Sequence, residues 1–210
     1  LPPHLPIGSP IEAKTMMSAL NLSETPKTLS ERARAALGNR NLVFVGLMGA
    51  GKSAIGRMVA QDLVLSFVDS DHEIERVSRM TITELFAAYG EAEFRALETR
   101  VIERLLQAGP RVVSTGGGAF INPNTRQRIK ESGVSVWLKA DLDVLWNRVS
   151  RREGRPLLKT ADPKGTLRAL MDDRYPIYAE ADLTVISRDV RKEVIVKDVL
   201  ATIAGLANKE

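Results

Sequence analysis

The pattern of hydrophobic and polar positions changes near Asn41. Beyond it, short strand-like runs alternate with segments whose apolar residues recur every three or four positions. The runs cover 42–45, 67–69, 111–115, 134–138 and 183–186. The helical segments cover 52–63, 71–78, 82–89, 92–108, 123–131, 142–150, 165–180 and 190–206. This alternation predicts an α/β fold of three layers, with a central parallel sheet of about five strands and helices on both faces.

The residues before Asn41 follow a different pattern. The first 27 contain five prolines and no apolar period, which predicts a flexible or loosely docked extension. Thr28 and Glu31 have the spacing of a capping box and would start a short helix that ends at Gly38. We therefore expect an extension over residues 1–40 and one domain over residues 41–210. A polar loop at about 151–164 is long enough to form a mobile lid.

Composition narrows the classes of protein. The 210 residues are 44% hydrophobic, with a net charge of +4 and no cysteine. The absence of cysteine excludes disulfides, thiolate metal sites and cysteine nucleophiles, and it fits a reducing cytoplasm. No run is long enough to span a bilayer, and no Lys/Arg stripe with interleaved aromatics suggests nucleic-acid binding. We expect a cytoplasmic monomer that binds neither membranes nor nucleic acids.

One contiguous motif carries specific chemistry. Gly46 to Ser53 reads G-L-M-G-A-G-K-S and matches the phosphate-binding loop G-x-x-x-x-G-K-[ST] between a predicted strand and a predicted helix. Such a loop points backbone N–H groups at phosphates, while Lys52 reaches the β- and γ-phosphates and Ser53 ligates Mg²⁺. The predicted nucleotide-binding residues are Gly49, Ala50, Gly51, Lys52, Ser53 and Ala54. The motif predicts binding of ATP or GTP.

Further short motifs follow in a fixed order. They are Asp69-Ser70-Asp71, Phe94-Arg95, Gly116-Gly117-Gly118, Arg155-Pro156-Leu157-Leu158 and Arg174-Tyr175-Pro176-Ile177-Tyr178. In this order and spacing, from about Asn41 to Leu206, the chain resembles the shikimate kinase family. The resemblance implies transfer of the γ-phosphoryl of MgATP to the 3-hydroxyl of shikimate, giving shikimate 3-phosphate and ADP, in aromatic amino-acid biosynthesis through chorismate.

The resemblance also implies roles for the acidic and basic residues. Asp69 would hold Mg²⁺ through water, and Asp71 would accept a hydrogen bond, and then the proton, from the attacking hydroxyl. Arg95 and Arg174 would bind the substrate carboxylate, which matches the fork of a guanidinium.

Glycines and the lid complete the implied site. Gly116, Gly117 and Gly118 would let the substrate ring lie against bare backbone. Arg155, which would contact ATP once the lid closes, would neutralise charge on the transferring phosphoryl group together with Lys52. Lys52, Asp71 and Arg155 are thus the implied catalytic residues.

Some alternatives stay open at the level of sequence. A gluconate or nucleoside-monophosphate kinase is the nearest rival, and a catalytically silent ligand sensor is a rival from another class. Either Arg148 or Arg151 would flank the adenine. His72, Trp137 and Trp146 are interpreted as structural residues.

Overall fold

The central sheet has five strands. The computed structural model describes residues 27–151, 156–158 and 160–208. The strands are β1 (Asn41–Val45), β2 (Ser66–Asp69), β3 (Arg111–Ser114), β4 (Gly133–Lys139) and β5 (Leu183–Ile186). Their order across the sheet is β2-β3-β1-β4-β5, and every neighbouring pair is parallel. The prediction of a parallel sheet of about five strands is confirmed.

Eight α-helices flank the sheet within the described residues. They are α1 (Leu29–Leu37), α2 (Lys52–Asp62), α3 (Ser70–Ser78), α4 (Ile82–Gln107), α5 (Pro123–Ser132), α6 (Leu142–Val149), α7 (Pro163–Tyr178) and α8 (Lys192–Ala204). Helix α4 spans the two helices predicted at 82–89 and 92–108. Its backbone leaves helical geometry at Gly90, where φ is 78° and ψ is 176°, so the two predicted segments meet at a kink.

Burial follows position in the sheet. All five residues of the central strand β1 are buried, whereas β5 at the edge alternates buried and exposed residues. A central strand is covered by helices on both faces, so it needs apolar side chains at every position. This difference explains why β1 stands out most clearly in the sequence.

Helix α1 packs on the same core as the sheet. Its capping box forms as predicted: the Glu31 N–H donates to Thr28 Oγ1 at 3.2 Å and the Thr28 N–H donates to Glu31 Oε2 at 2.7 Å. Ala33 and Leu37 are fully buried, and the helix packs against α8. The predicted extension over 1–40 therefore includes a helix that contributes to the core, while residues 1–26 lie outside the described residues.

The predicted lid is described only in part. Residues 152–155 and 159 lie outside the described residues, and with them Arg155. Pro156–Leu158 forms a 3₁₀ turn, and α7 begins at Pro163, two residues before the predicted start. Across the described ranges, we find no helix with an apolar stretch long enough to cross a membrane.

Candidate active site

The loop between β1 and α2 has the backbone that a phosphate cradle requires. Gly49 and Gly51 have φ of 83° and 100°, in the left-handed region that side chains disfavour. A Cβ on Gly49 would lie 2.8 Å from Cγ1 of Val149. Gly51 precedes the first turn of α2 and offers no side-chain cap, so the first N–H groups of this helix remain available to an anion.

Lys52 folds back over this loop. Its Nζ donates to the carbonyl oxygens of Gly46 at 2.7 Å and Leu47 at 3.0 Å, and the residue is 8% exposed. These bonds hold the ammonium against the loop that surrounds the phosphate position. The charge is therefore held beside the loop, within the cleft that a nucleotide would occupy.

A hydroxyl and a carboxylate lie together at the carboxyl ends of the strands. Ser53 Oγ donates to Asp69 Oδ2 at 2.6 Å and lies 3.1 Å from Ser114 Oγ. In the described part of the chain, no group of three or more His, Cys, Asp or Glu side chains could hold a metal ion. Ser53 and Asp69 would thus leave most of the coordination sphere to phosphates and water. That donor set fits Mg²⁺, which keeps several waters and binds through few protein oxygens.

A second group of charges surrounds the glycines after β3. Glu98 on α4 is only 2% exposed, and its Oε2 accepts from Arg95 Nη1 at 2.7 Å. A Cβ on Gly116 would lie 2.6 Å from Asp71 Oδ1 and 2.8 Å from Glu98 Oε1. Both carboxylates therefore face this glycine. Only a residue without a side chain fits between them.

The buried carboxyl of Glu98 has an unusual titration. Burial raises its pKa, the guanidinium of Arg95 opposes that effect, and the nearby Asp71 adds to it. Glu98 Oε1 is buried without a hydrogen-bond partner among the described residues. The carboxyl is thus paired on one oxygen and desolvated on the other.

The two predicted carboxylate-binding arginines meet at the same glycines. Arg174 on α7 is 8% exposed, and its Nη1 donates to the Gly117 carbonyl oxygen at 3.1 Å. The hydroxyl of Tyr178, one turn later, donates to the same oxygen. On the other side, a Cβ on Gly118 would overlap the Arg95 guanidinium. Residues 116–118, the glycine strip, therefore adjoin both guanidinium groups.

One cleft of about 390 Å³ joins the phosphate loop to this region. It is lined by residues 48–55 of the loop and α2, by Asp69, Asp71, Thr115 and Gly117, and by Arg148, Ser187, Asp189, Val190, Lys192 and Ile195. Among the predicted substrate-binding residues, Asp71 and Gly117 line the cleft. The others adjoin it through the contacts above: Arg95, Gly116, Gly118 and Arg174.

The structure distinguishes the two arginines that the sequence left open. Arg148 lines the cleft, and its Nη1 donates to the Gly49 carbonyl oxygen at 3.1 Å and to Ser187 Oγ at 2.9 Å. Arg151 is exposed and is not among the described residues that line the cleft. Arg148 is therefore the guanidinium that lines the cleft beside the phosphate loop.

Sequence reasoning missed three residues of this region. Glu98 carried a signal, because a residue three positions after Arg95 on a helix lies on the same face. Tyr178 stood at the end of the motif that begins at Arg174, but no role was assigned to it. Ser114 carried no signal, since a serine in a strand is an ordinary core residue. Trp137 is a packing residue as interpreted: it is 4% exposed, with its ring centroid 4.9 Å from that of Tyr175.

Comparisons with known proteins find one family. A family model described as shikimate kinase matches residues 48–204. A shikimate kinase of Rhizobium leguminosarum bv. trifolii is 73% identical over 173 residues, which are 82% of this chain and 88% of that protein. One from Rhizobium meliloti is 69% identical over 177 residues, 84% and 92% of the two chains.

A solved structure gives the same result. The shikimate kinase from Acinetobacter baumannii in complex with shikimate aligns with a TM-score of 0.75 at 35% identity, covering 84% of this chain and 97% of that one. The family resemblance carried by the short motifs is thus confirmed by sequence and by fold. The chain belongs to the shikimate kinase family.

Proposed function

We propose that this chain transfers the γ-phosphoryl group of MgATP to the 3-hydroxyl of shikimate, releasing shikimate 3-phosphate and ADP. The observation that carries the proposal is the single cleft that joins the phosphate loop to Asp71 and to the glycine strip. Membership of the family names the acceptor, and the arrangement of charges suits it. The reaction belongs to aromatic amino-acid biosynthesis through chorismate.

The nucleotide end of the cleft would hold the phosphates on backbone. The N–H groups of residues 49–54 would donate to phosphate oxygens, and Lys52 would move from its carbonyl partners toward the γ-phosphate. Ser53 and Asp69 would hold Mg²⁺, the former directly and the latter through water. When bound, the ion would neutralise charge that develops on the phosphates. Arg148 would flank the adenine, since a guanidinium plane stacks on an aromatic ring.

The acceptor end would orient shikimate by its carboxylate. The guanidiniums of Arg95 and Arg174 both adjoin the glycine strip, so a carboxylate there would receive hydrogen bonds from both. The ring would lie on the glycines, and the 3-hydroxyl would point to Asp71. Loss of any one contact would move the hydroxyl relative to the phosphate and slow the reaction.

The chemical step would need little covalent help from the protein. Asp71 would take the hydroxyl proton as the oxygen attacks the γ-phosphorus, and the bond to the β–γ bridging oxygen would break so that ADP leaves. Lys52 and Arg155 would neutralise the transferring phosphoryl group. Closure of the lid would bring Arg155 into place and exclude water, which would otherwise hydrolyse ATP.

We also propose that the chain acts as a cytoplasmic monomer. A protein without cysteine suits a reducing compartment. Neither membranes nor nucleic acids are proposed as partners.

The decisive experiment is coupled ADP release with MgATP. Shikimate, gluconate, a nucleoside monophosphate and no acceptor would be compared at equal concentrations. We expect release with shikimate alone, because only that acceptor combines a carboxylate on a ring with a hydroxyl within reach of Asp71. Release with gluconate instead would keep the kinase and change the substrate.

No release with any acceptor, together with measurable binding of ATP and shikimate, would support the ligand sensor instead. Calorimetric titration of both ligands distinguishes that result from an inactive preparation.

A further inference from the structure

The backbone carbonyl oxygens of the glycine strip all accept hydrogen bonds from the protein, but its N–H groups do not all donate one. The Gly116 carbonyl accepts from Ala119 N at 3.2 Å, and the Gly118 carbonyl accepts from Ile121 N at 3.1 Å. Gly116 N donates to Ser70 Oγ at 3.2 Å. Among the described residues, we find no hydrogen bond donated by the N–H groups of Gly117 and Gly118. The strip thus retains two backbone donors, one of them on Gly117, which lines the cleft.

The peptide unit between Gly117 and Gly118 determines where one of these donors points. This unit contains the Gly117 carbonyl and the Gly118 N–H, which point in opposite directions because the peptide is planar and trans. The carbonyl oxygen accepts hydrogen bonds from the Tyr178 hydroxyl and from Arg174 Nη1. The Gly118 N–H is therefore directed away from those two side chains.

A peptide between two glycines is unusually free to rotate. Neither residue has a Cβ, so a flip that moves φ of Gly118 from its present −99° to a positive value meets no steric barrier of the ordinary kind. Such a flip would exchange the positions of the carbonyl and the N–H. The Gly117 carbonyl oxygen would then occupy the position of the Gly118 N–H, and an anionic substrate would face an acceptor in place of a donor.

We propose that Tyr178 is a positioning residue that locks the Gly117–Gly118 peptide with its N–H facing the acceptor substrate. Arg174 donates to the same oxygen, but it also has the substrate carboxylate as a ligand under the proposed function, on which this inference rests. Tyr178 is fully buried and has no substrate to contact, so its bond persists whether or not the site is filled.

The surroundings of Tyr178 suit a permanent donor. Its ring lies 6.0 Å from the ring of Trp137 and 6.4 Å from that of Phe120, which fixes the direction of the hydroxyl. Burial raises the pKa of this hydroxyl to about 12, although the Arg174 guanidinium lowers it. The hydroxyl therefore keeps its proton, and can donate, at any pH at which the protein would work.

A matched pair of variants tests the lock. Tyr178→Phe removes the hydroxyl and keeps the ring, whereas Tyr175→Phe removes a hydroxyl on the same helix that donates to the Ala140 carbonyl, away from the cleft. We expect Tyr178→Phe to raise the KM for shikimate about 3- to 10-fold, the effect of one hydrogen bond. The KM for ATP should be unchanged. Tyr175→Phe should leave both values unchanged.

Two kinetic results would overturn the proposal. One is a Tyr178→Phe variant whose two KM values rise in the same proportion, and the other is an equal effect of Tyr175→Phe on shikimate. Either result would mean that the hydroxyl supports the fold in general rather than this peptide. Thermal unfolding of both variants identifies any loss of folded protein.

A second measurement depends neither on the variant's folding nor on the identity of the substrate. In the ¹⁵N-labelled wild-type chain, relaxation dispersion of the Gly118 amide should show a single conformation. Tyr178→Phe, if it folds, should add exchange broadening there. A wild-type Gly118 amide that already exchanges between two states refutes the lock. A single-state amide in a chain that does not phosphorylate shikimate would refute the proposed function and leave the lock standing.

Discussion

The buried carboxyl of Glu98 provides the sharpest test of the charge arrangement around the glycine strip. Burial raises its pKa above the ordinary 4.5, so the folded chain retains this proton at a pH where the unfolded chain has lost it. The stability linked to Glu98 is therefore fully present below pH 4.5. It is lost as the pH rises through the folded-state pKa.

Glu98→Gln removes this titration and keeps the shape of the side chain. Within the window between the two pKa values, the wild type should lose up to about 1.4 kcal/mol of unfolding free energy per pH unit relative to the variant. For a domain of this size that corresponds to about 3–5 °C in Tm per pH unit. Any difference in stability that does not depend on the protonation of Glu98 shifts the variant's curve as a whole and leaves the slope unchanged.

The assay is denaturant or thermal unfolding of both proteins from pH 4 to pH 8. Glu91→Gln is the matched control, because Glu91 pairs with the same guanidinium at 3.1 Å but its side chain is 60% exposed. This control should keep the wild-type dependence on pH, since Glu98 remains in place. Parallel curves for wild type and Glu98→Gln would refute the reasoning. A variant that loses stability relative to wild type as pH rises would mean something different. The guanidiniums of Arg95 and Arg174 would then lower the folded-state pKa of Glu98 by more than burial raises it.

The remaining predictions concern the nucleotide end of the cleft. Arg155→Ala should lower kcat about 10³-fold with little change in either KM. A variant that loses turnover and affinity equally, or loses neither, would contradict the role of Arg155 in phosphoryl transfer. Arg148→Ala should raise the KM for ATP about tenfold by losing a stacking cation, while Arg151→Ala should not; the opposite order would exchange their roles. Ser53→Ala should raise the Mg²⁺ concentration needed for half-maximal rate about tenfold, and an unchanged requirement would remove Ser53 from the metal site.

The local elements of this fold were predictable because their signals are local. The apolar run of β1 and the phosphate-loop motif are contiguous, and each specifies its own backbone by strand burial or by glycine geometry. The five strand predictions agree with the structure to within about one residue at each end. The kink of α4 at Gly90 likewise appeared as a break between two helical patterns.

Other features depend on residues that are far apart in the chain. Whether Arg148 or Arg151 enters the cleft depends on the rotation of α6 against the phosphate loop, about 100 residues earlier. Glu98 lies near Asp71 because α4 packs against α3, the helix that carries Asp71. Nothing in the sequence near either residue reveals the other. The family resemblance assigned roles to Arg95 and Arg174. It assigned none to Glu98, which accepts from Arg95, or to Tyr178, which donates to the Gly117 carbonyl.

The sequence by itself determined the alternation of strands and helices, the phosphate loop and the family, because each depends on short stretches of adjacent residues. Only the tertiary structure decided the order of the strands and the meeting of Arg95, Arg174 and Tyr178 at one strip of glycines. The physical reason is that burial and hydrogen bonding between distant segments depend on how the crossover helices pack. Tyr178 and Gly117 are 61 residues apart and share a hydrogen bond only after that packing is complete.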